Sequence, residues 1–522
     1  MPTLHWLGKE KVINHHLDVP FRVLDEQYRY GAPDSGNSII HGDNLDALKA
    51  LLPQYEGRVN CIYIDPPYNT GNEGWVYNDN VNDPKIRKWL GEVVGKEGED
   101  LTRHDKWLCM MYPRLKLLQR LLSDDGAIFI SIDDNEQASL KLICDEVFGI
   151  NCFVTDLIWR SADSSNNDSK QFSNDYNHTL VYSKQPKWQP LRFARRAENN
   201  QHYKNPDNDP RGAWFQSNLQ SPNYRENLQY DVIAPNGNVI KAPKNGWRWS
   251  KEKMNAWIAD GTVVFSGEQT RIIKKTFLKD QSGIVPSNIW WDVEDTGHNR
   301  NAKYELLKIF SEAHSSEVFK TPKPTKFIER ILQLFPSKGL IVLDSFAGSG
   351  TTAHSILNMN QQDGGNRRFI LVETMDYAET ITAERVRRVI DGYGEGKKSV
   401  PGTGGGFTYY ELGEPLMFSD GTLNESVPSE KIRDYVWYTE TKQAAQLPKE
   451  NEPYYLGKTD SVVYYFFYEK DAATTLDENF LATLQTSAER YIIYADLCAL
   501  NEEDLRKYNV VFKKIPRDIA RL

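Results

Sequence analysis

The sequence predicts an α/β fold: a large, mostly parallel sheet interrupted by an inserted domain and followed by a small C-terminal α/β domain. Three observations carry that expectation. Short unbroken apolar runs, the pattern of strands buried on both faces, alternate with helical patterns over residues 1–183 and again over 317–412. Two of those runs end in unusual loops: Val59-Asn60-Cys61-Ile62-Tyr63-Ile64 leads into Asp65-Pro66-Pro67-Tyr68, and Leu340-Ile341-Val342-Leu343-Asp344 into Phe346-Ala347-Gly348-Ser349-Gly350. From about 184 to 316 the alternation gives way to irregular segments rich in Asn, Pro, Gly and Trp, as an inserted domain would.

In chain order, residues 38–41 read as a strand and 44–52 as the helix after it, capped by Asp43 or Asn44. The strand at 59–64 is followed by a polar loop and a helix from about Arg103 to Leu122, with apolar residues at helical spacing. Strands follow at 126–132, 157–159 and 178–182, the last two separated by the Ser/Asn/Asp-rich loop 161–175, a length that marks function or mobility in a compact domain. After the insertion, strands at 340–344 and 369–372 flank a helix that begins at Thr351. Pro401-Gly402-Thr403-Gly404-Gly405-Gly406 has the composition of a flexible joint. Beyond it, 462–467, 491–494 and 510–512 read as strands. The expected domains are 1–183, 184–316, 317–412 and 413–522.

Both special loops fall at the carboxyl ends of strands, where a parallel sheet delivers its loops to a ligand. Asp65 offers a carboxylate there. Pro66 offers a carbonyl that no helical hydrogen bond competes for, because Pro67 has no N–H and disfavours helix at the residue before it. Such acceptors suit the protons of an exocyclic nucleobase amine, whose lone pair is delocalised into the ring. Tyr68 adds an aromatic face for a base taken out of its stack. The second loop reads as a cofactor cradle: Gly348 and Gly350 let the backbone approach a ligand, and the helix from Thr351 aims its first amides back at it. Glu373, ending the run Phe369-Ile370-Leu371-Val372, stands where a carboxylate meets a ribose diol. Pro-Pro-Tyr alone is usually a rigid turn and Gly-Ser-Gly a flexible loop; the pair, each after a strand, points to one site.

Asp65-Pro66-Pro67-Tyr68, followed by Asn69-Thr70-Gly71, resembles the catalytic motif of the amino-methyltransferases that modify adenine N6 or cytosine N4 in DNA. Phe346-Ala347-Gly348-Ser349-Gly350-Thr351-Thr352 resembles their S-adenosylmethionine motif, and the catalytic motif comes first, as in the permuted beta class. Ile40-His41-Gly42-Asp43-Asn44-Leu45, Asn205-Pro206-Asp207-Asn208-Asp209-Pro210-Arg211-Gly212 and Thr321-Pro322-Lys323-Pro324 are similar to segments of the Mod subunits of type III restriction-modification systems, a likeness reaching about Leu412. The resemblance implies a circularly permuted, Rossmann-like methyltransferase sheet whose insertion is a target-recognition domain. It implies a site-specific adenine-N6 methyltransferase acting on double-stranded DNA in a restriction-modification or related defence system. Asp65, Pro66, Pro67 and Tyr68 would form the catalytic pocket. S-adenosylmethionine would be held by Asp43, Lys323, Asp344, Phe346, Ala347, Gly348, Ser349, Gly350, Thr351 and Glu373, with Asp43 near its adenine and Glu373 on its ribose. Asp rather than Ser before Pro-Pro implies adenine over cytosine. A cytosine-N4 or RNA methyltransferase, or a catalytically silent cofactor-binding recognition subunit, stays open as an alternative, although intact Asp65, Tyr68 and Gly350 argue against silence. A homodimer and a restriction or other defence-system subunit are candidate partners besides DNA.

Composition narrows the field further. The five cysteines are scattered, which fits a reducing interior, and none follows a proline, which excludes the Pro-Cys nucleophile of cytosine-C5 methyltransferases. The pair His15-His16 has no partnering ligand cluster, so no metal site is expected. With no signal-peptide core and no apolar run long enough to span a bilayer, the expected compartment is the cytoplasm and no membrane partner is expected. A net charge of −9 opposes a uniformly basic DNA binder. Phosphate contacts depend on local patches, however, and Arg192, Arg195, Arg196, Arg211, Lys244 and Arg248 in the insertion are the candidates, the last beside Trp247 and Trp249.

Overall fold

The structure, a computed structural model, describes residues 3–70, 103–312, 318–418, 420–443, 446 and 449–520. Gly71 of the first motif and the expected domain boundary at 316 lie outside the described residues. Ten strands build one sheet: β1 (Arg22–Gly31), β2 (Ser38–His41), β3 (Val59–Ile64), β4 (Leu122–Ile132), β5 (Phe153–Arg160), β6 (Tyr176–Ser183), β7 (Ile289–Trp290), β8 (Ile341–Asp344), β9 (Arg368–Glu373) and β10 (Gly406–Pro415). Their spatial order is β1-β10-β2-β9-β8-β3-β4-β6-β5-β7. The stretch from β10 to β4 is parallel throughout, and β6 runs antiparallel to both of its neighbours. β8 is buried at every position, and β3 and β9 at all but one, which is why these strands read as unbroken apolar runs.

Helices follow where the strand ends demand a return. α1 (Asn44–Tyr55) is capped by Asp43, whose carboxylate accepts the amides of Leu45 and Asp46. α2 (Arg103–Leu121) precedes β4, α3 (Gln137–Phe148) precedes β5, and α4 (Asn299–Ile309) and α5 (Thr325–Leu332) precede β8. α6 (Thr351–Asp363) links β8 to β9, and α7 (Glu384–Asp391) follows β9. The decisive pairing is β8 with β3, Val342 opposite Cys61 and Leu343 opposite Ile62. Two loops some 280 residues apart in the chain therefore leave the sheet side by side.

The glycine run 401–406, expected as a flexible joint, leads directly into β10, which lies between β1 and β2. Ala32 donates its amide to the Gly405 carbonyl at 2.8 Å, and the Asn37 side chain donates to the Gly406 carbonyl at 2.8 Å. A Cβ on Gly406 would sit 2.5 Å from the backbone of Ala32, so the glycine is required for close approach of two chains. β1, with its polar alternation, is an edge strand that the apolar pattern does not single out.

The chain forms two compact units, Leu191–Pro286 and the rest of the chain. The first is shorter than the expected insertion 184–316 at both ends. Trp188 packs on Phe129 and Phe335, and β7 pairs with β5, so the flanking residues belong with the main sheet. By itself the Leu191–Pro286 unit holds a three-stranded antiparallel sheet and a helix, Lys251–Ala259, around Leu219, Val232, Trp247, Met254 and Ile272. In the C-terminal region β11 (Tyr455–Thr459), β12 (Val462–Phe466), β13 (Arg490–Ala495) and β14 (Val510–Lys514) form a four-stranded sheet in that order. That region does not separate as a unit, because Tyr435, Val436 and Trp437 of α8 (Ser429–Thr441) share one core with Leu45 and Leu52 of α1.

Candidate active site

Asp65 emerges from β3 with both carboxylate oxygens engaged. Oδ1 accepts the Tyr68 hydroxyl at 2.8 Å, and Oδ2 lies 2.5 Å from Lys323 Nζ. The same ammonium reaches Tyr68 Oη at 3.0 Å and stands 5.1 Å from the centre of its ring. Asn177 on β6 adds a donor to that hydroxyl at 3.4 Å. Burial, with the Asp65 charge beside it, holds the Tyr68 phenol well above its ordinary range, so it works as a neutral donor. Trp107 on α2 donates its indole N–H to the Pro67 carbonyl at 2.6 Å, fixing the rigid Pro-Pro turn from behind. Lys323 arrives from the strap Thr321-Pro322-Lys323-Pro324 ahead of α5, and its carbonyl accepts the Thr351 hydroxyl at 3.1 Å. One residue thus ties the acceptor loop to the helix that follows the glycine loop.

The glycine loop is braced from beneath. Asp344 accepts the Phe346 amide at 3.1 Å and the Thr352 hydroxyl at 2.6 Å. Gly348 has φ +52°, and a Cβ there would lie 3.0 Å from the Phe319 ring. Its amide donates to Glu373 Oε2 at 2.7 Å, and the other Glu373 oxygen accepts the Met375 amide at 2.9 Å. Arg385 on α7 is wholly buried and donates to the Ser349 hydroxyl at 2.9 Å and the Thr351 hydroxyl at 2.8 Å. Beside it His354, held well below its ordinary range by burial and by Arg385, presents a neutral ring nitrogen 3.2 Å from the guanidinium. Sequence reasoning missed Arg385, Trp107 and Asn177. In Glu384-Arg385-Val386-Arg387-Arg388 nothing distinguishes a buried cation from the exposed ones, whereas the helical period, with Arg385 one position from buried Val386, is a weak signal.

Burial pushes the Asp344 carboxyl up to about 7, with Asp65 and Glu373 adding to the rise. Since the folded value exceeds the ordinary 3.8, the stability gained from the protonated form is complete below about pH 4 and is lost as pH rises through about 7. Asp344→Asn should remove this slope. Melting wild type and variant in parallel from pH 4 to 8 should show the variant gaining on wild type as pH rises, and parallel curves would refute the assignment.

One cleft takes in both halves. Asp65, Pro66, Pro67 and Tyr68 line one side, Asp344, Phe346, Ala347, Gly348, Ser349 and Thr351 the other, and Lys323 lies with them. Three expected cofactor residues do not line it. Gly350 is the N-cap of α6, Glu373 stands behind Gly348, and Asp43 caps α1 and faces Arg114 at 3.4 Å.

In the Leu191–Pro286 unit the expected phosphate contacts divide. Arg192, Arg196, Lys244 and Arg248 are exposed, and Arg248 leans on Trp249, whose edge meets Trp257 at 4.9 Å with Lys274 over both rings. Arg195 is half-buried, bonded to Asn200 at 2.8 Å and to the Asn199 carbonyl at 2.9 Å. Arg211 is committed to the fold: it clasps Asp209 at 2.9 and 3.0 Å and reaches the Gly261 carbonyl at 2.9 Å, while buried Lys275 meets Asp209 at 2.7 Å.

A sheet with the acceptor strand beside the cradle strand defines the class, and comparison with known proteins agrees. The family described as DNA methylase matches residues 59–384, and the chain belongs to that family. It is similar to the StyLTI Mod subunit, a type III restriction-modification enzyme of Salmonella typhimurium, at 35% identity over 78% of this chain and 64% of that one. It is similar to the EcoP15I Mod subunit of Escherichia coli at 31% over 71% and 64%, and to the type II methyltransferase M.KpnI of Klebsiella pneumoniae at 28% over 67% and 84%. The chain thus spans 64% of the length of the two Mod subunits. No helix among the described residues is long and apolar enough to cross a membrane.

Proposed function

We propose that this chain transfers a methyl group from S-adenosylmethionine to N6 of a target adenine in double-stranded DNA, as the modification subunit of a cytoplasmic restriction-modification or related defence system. One observation carries the reading: adjacent parallel strands deliver Asp65 and Tyr68 to the same cleft as the loop from Phe346 to Thr351.

The residues present suit the cofactor. Gly348 leaves open, beneath the Phe319 ring, a space that a Cβ would fill, and a buried carboxylate holds its amide in place. Phe346 to Thr351 would hold the methionine and ribose portions, with Glu373 bracing them through Gly348. When bound, the cofactor supplies an electrophilic methyl group on a sulfonium. Asp65 and the Pro66 carbonyl would accept hydrogen bonds from the two amine N–H groups, raising the electron density at the nitrogen, and Tyr68 would offer its ring to the base. Transfer is direct. The proton that the methylated amine then sheds passes to Asp65 Oδ2, which Lys323 must cede first. Of the proposed DNA contacts, the exposure of Arg192, Arg196, Lys244 and Arg248 supports a role in meeting phosphates, and such contacts position without specifying sequence.

Incubation with tritiated S-adenosylmethionine and either duplex DNA or RNA tests this. Label should enter DNA and be recovered as N6-methyladenine. Recovery as N4-methylcytosine, or labelling of RNA, would reassign the acceptor; cofactor binding without any transfer would mark a recognition subunit.

A further inference from the structure

The loop from Ser161 to Asp175, between β5 and β6, carries an apolar group that no core claims. Its fifteen residues are Ser, Asn, Asp, Lys and Gln apart from Ala162 and one aromatic, Phe172, whose surface is 95% exposed. A lone exposed ring is ordinary on a protein surface, so what it can meet is decided by where the loop holds it.

The loop is closed on itself around that ring. The Asp175 carboxylate accepts the hydroxyls of Ser165, at 2.7 Å, and Ser173, while its carbonyl accepts the amides of Ser161 and Ala162 at 3.0 and 3.2 Å. Ser173 Oγ takes the Asn166 amide at 2.7 Å. Both ends of the loop abut the active cleft. Asn177, five residues after Phe172, lines the cleft and donates to Tyr68, and the Ser161 carbonyl accepts the amide of cleft-lining Asn299 at 2.9 Å. Five residues of chain span roughly 17 Å at most from the Phe172 Cα to the Asn177 Cα, so the backbone that carries the ring is tethered close to the cleft.

We propose that Phe172 is a wedge that enters the base stack of duplex DNA at the place vacated by the target base when that base turns toward Tyr68. The inference rests on the base-extruding methyltransferase reading above. Proteins that unstack a duplex commonly insert an apolar side chain between base steps, and an extruded base leaves an apolar gap with no stacking partner on either side. Phe172 supplies a flat apolar filler. Asp65, Lys323 and Asn177, being polar and bound to one another around Tyr68, cannot fill it.

The test uses the full chain and an oligonucleotide duplex carrying the site mapped from the adenines it methylates in plasmid DNA. Phe172→Ala should lower kcat on the matched duplex on the order of 10- to 100-fold, since extrusion loses its filler. S-adenosylmethionine affinity by calorimetry should be unchanged, and Phe172→Trp should restore the rate. A mismatch opposite the target adenine, which makes extrusion easier, should bring Phe172→Ala to within about 3-fold of wild type. Wild-type rates for Phe172→Ala on the matched duplex would overturn the wedge, as would an equal loss on matched and mismatched duplexes. A wild-type chain that methylates no DNA would overturn the underlying reading and the wedge with it, and that failure is recognised because it appears before any substitution is made.

Discussion

Asp65→Ala is expected to lower methyl transfer on the order of 10²–10⁴-fold, the range spanned by a positioned proton acceptor. The structure adds a second consequence. Asp65 is the carboxylate partner of Lys323, whose ammonium is nearly buried between Asp65 Oδ2 at 2.5 Å and the Tyr68 hydroxyl at 3.0 Å. Removing one member of such a pair leaves a charge without its partner, at a cost of up to about 3–5 kcal/mol, whereas removing both costs far less. Asp65→Ala should therefore lower the melting temperature, and the double variant Asp65→Ala/Lys323→Met should recover most of the stability and none of the activity. Tritium transfer measures the first effect and thermal melting the second. Near-normal turnover in Asp65→Ala would sink the catalytic assignment; a double variant no more stable than the single one would sink the ion-pair account.

Lys323 also shows what the sequence conceals. The parallel sheet, the strands ending at Ile64 and Asp344, and the convergence of their loops were legible, because buried parallel strands leave unbroken apolar runs and because Pro-Pro and Gly-x-Gly are conspicuous at strand ends. The pairing partners of a lysine are not written in its neighbours. Lys323 lies 258 positions from Asp65, and only the fold brings the two together. The resemblance implies a place near the cofactor for Lys323, and the structure adds a contact between its ammonium and the Asp65 carboxylate. Arg211 reads the same way: a cation in a polar turn suggests a phosphate contact, but Asp209 two residues earlier has already taken it. The glycine run 401–406 misled for a related reason, since composition registers freedom of the backbone and is silent on a neighbouring strand close enough to require glycine.

Tyr68 carries the other large effect, and its ring and hydroxyl can be separated. Extruding a paired base costs roughly a few kcal/mol, and stacking on an aromatic ring returns roughly 1–3 kcal/mol, so Tyr68→Ala should reduce turnover by about 10- to 100-fold. The sequence alone suggests that Tyr68→Phe, which keeps the ring, is mild. In the structure the hydroxyl donates to Asp65 at 2.8 Å and receives Lys323 at 3.0 Å and Asn177 at 3.4 Å, so its loss frees the acceptor carboxylate to turn. Hydrogen bonds to charged groups contribute about 1.5–3 kcal/mol each, and Tyr68→Phe should therefore also lose about 10-fold or more. The two variants differ in what rescues them. A mismatch opposite the target adenine makes extrusion easier and should restore Tyr68→Ala in part, while leaving Tyr68→Phe unimproved, because misplacement of Asp65 persists once the base has arrived. With 2-aminopurine at the target position, Tyr68→Phe should still give the fluorescence change of the wild type on binding, and Tyr68→Ala should not. If the mismatch rescues both variants equally, the hydroxyl has no separate role in holding Asp65; if it rescues neither and Tyr68→Ala turns over normally, the base is not received on this ring.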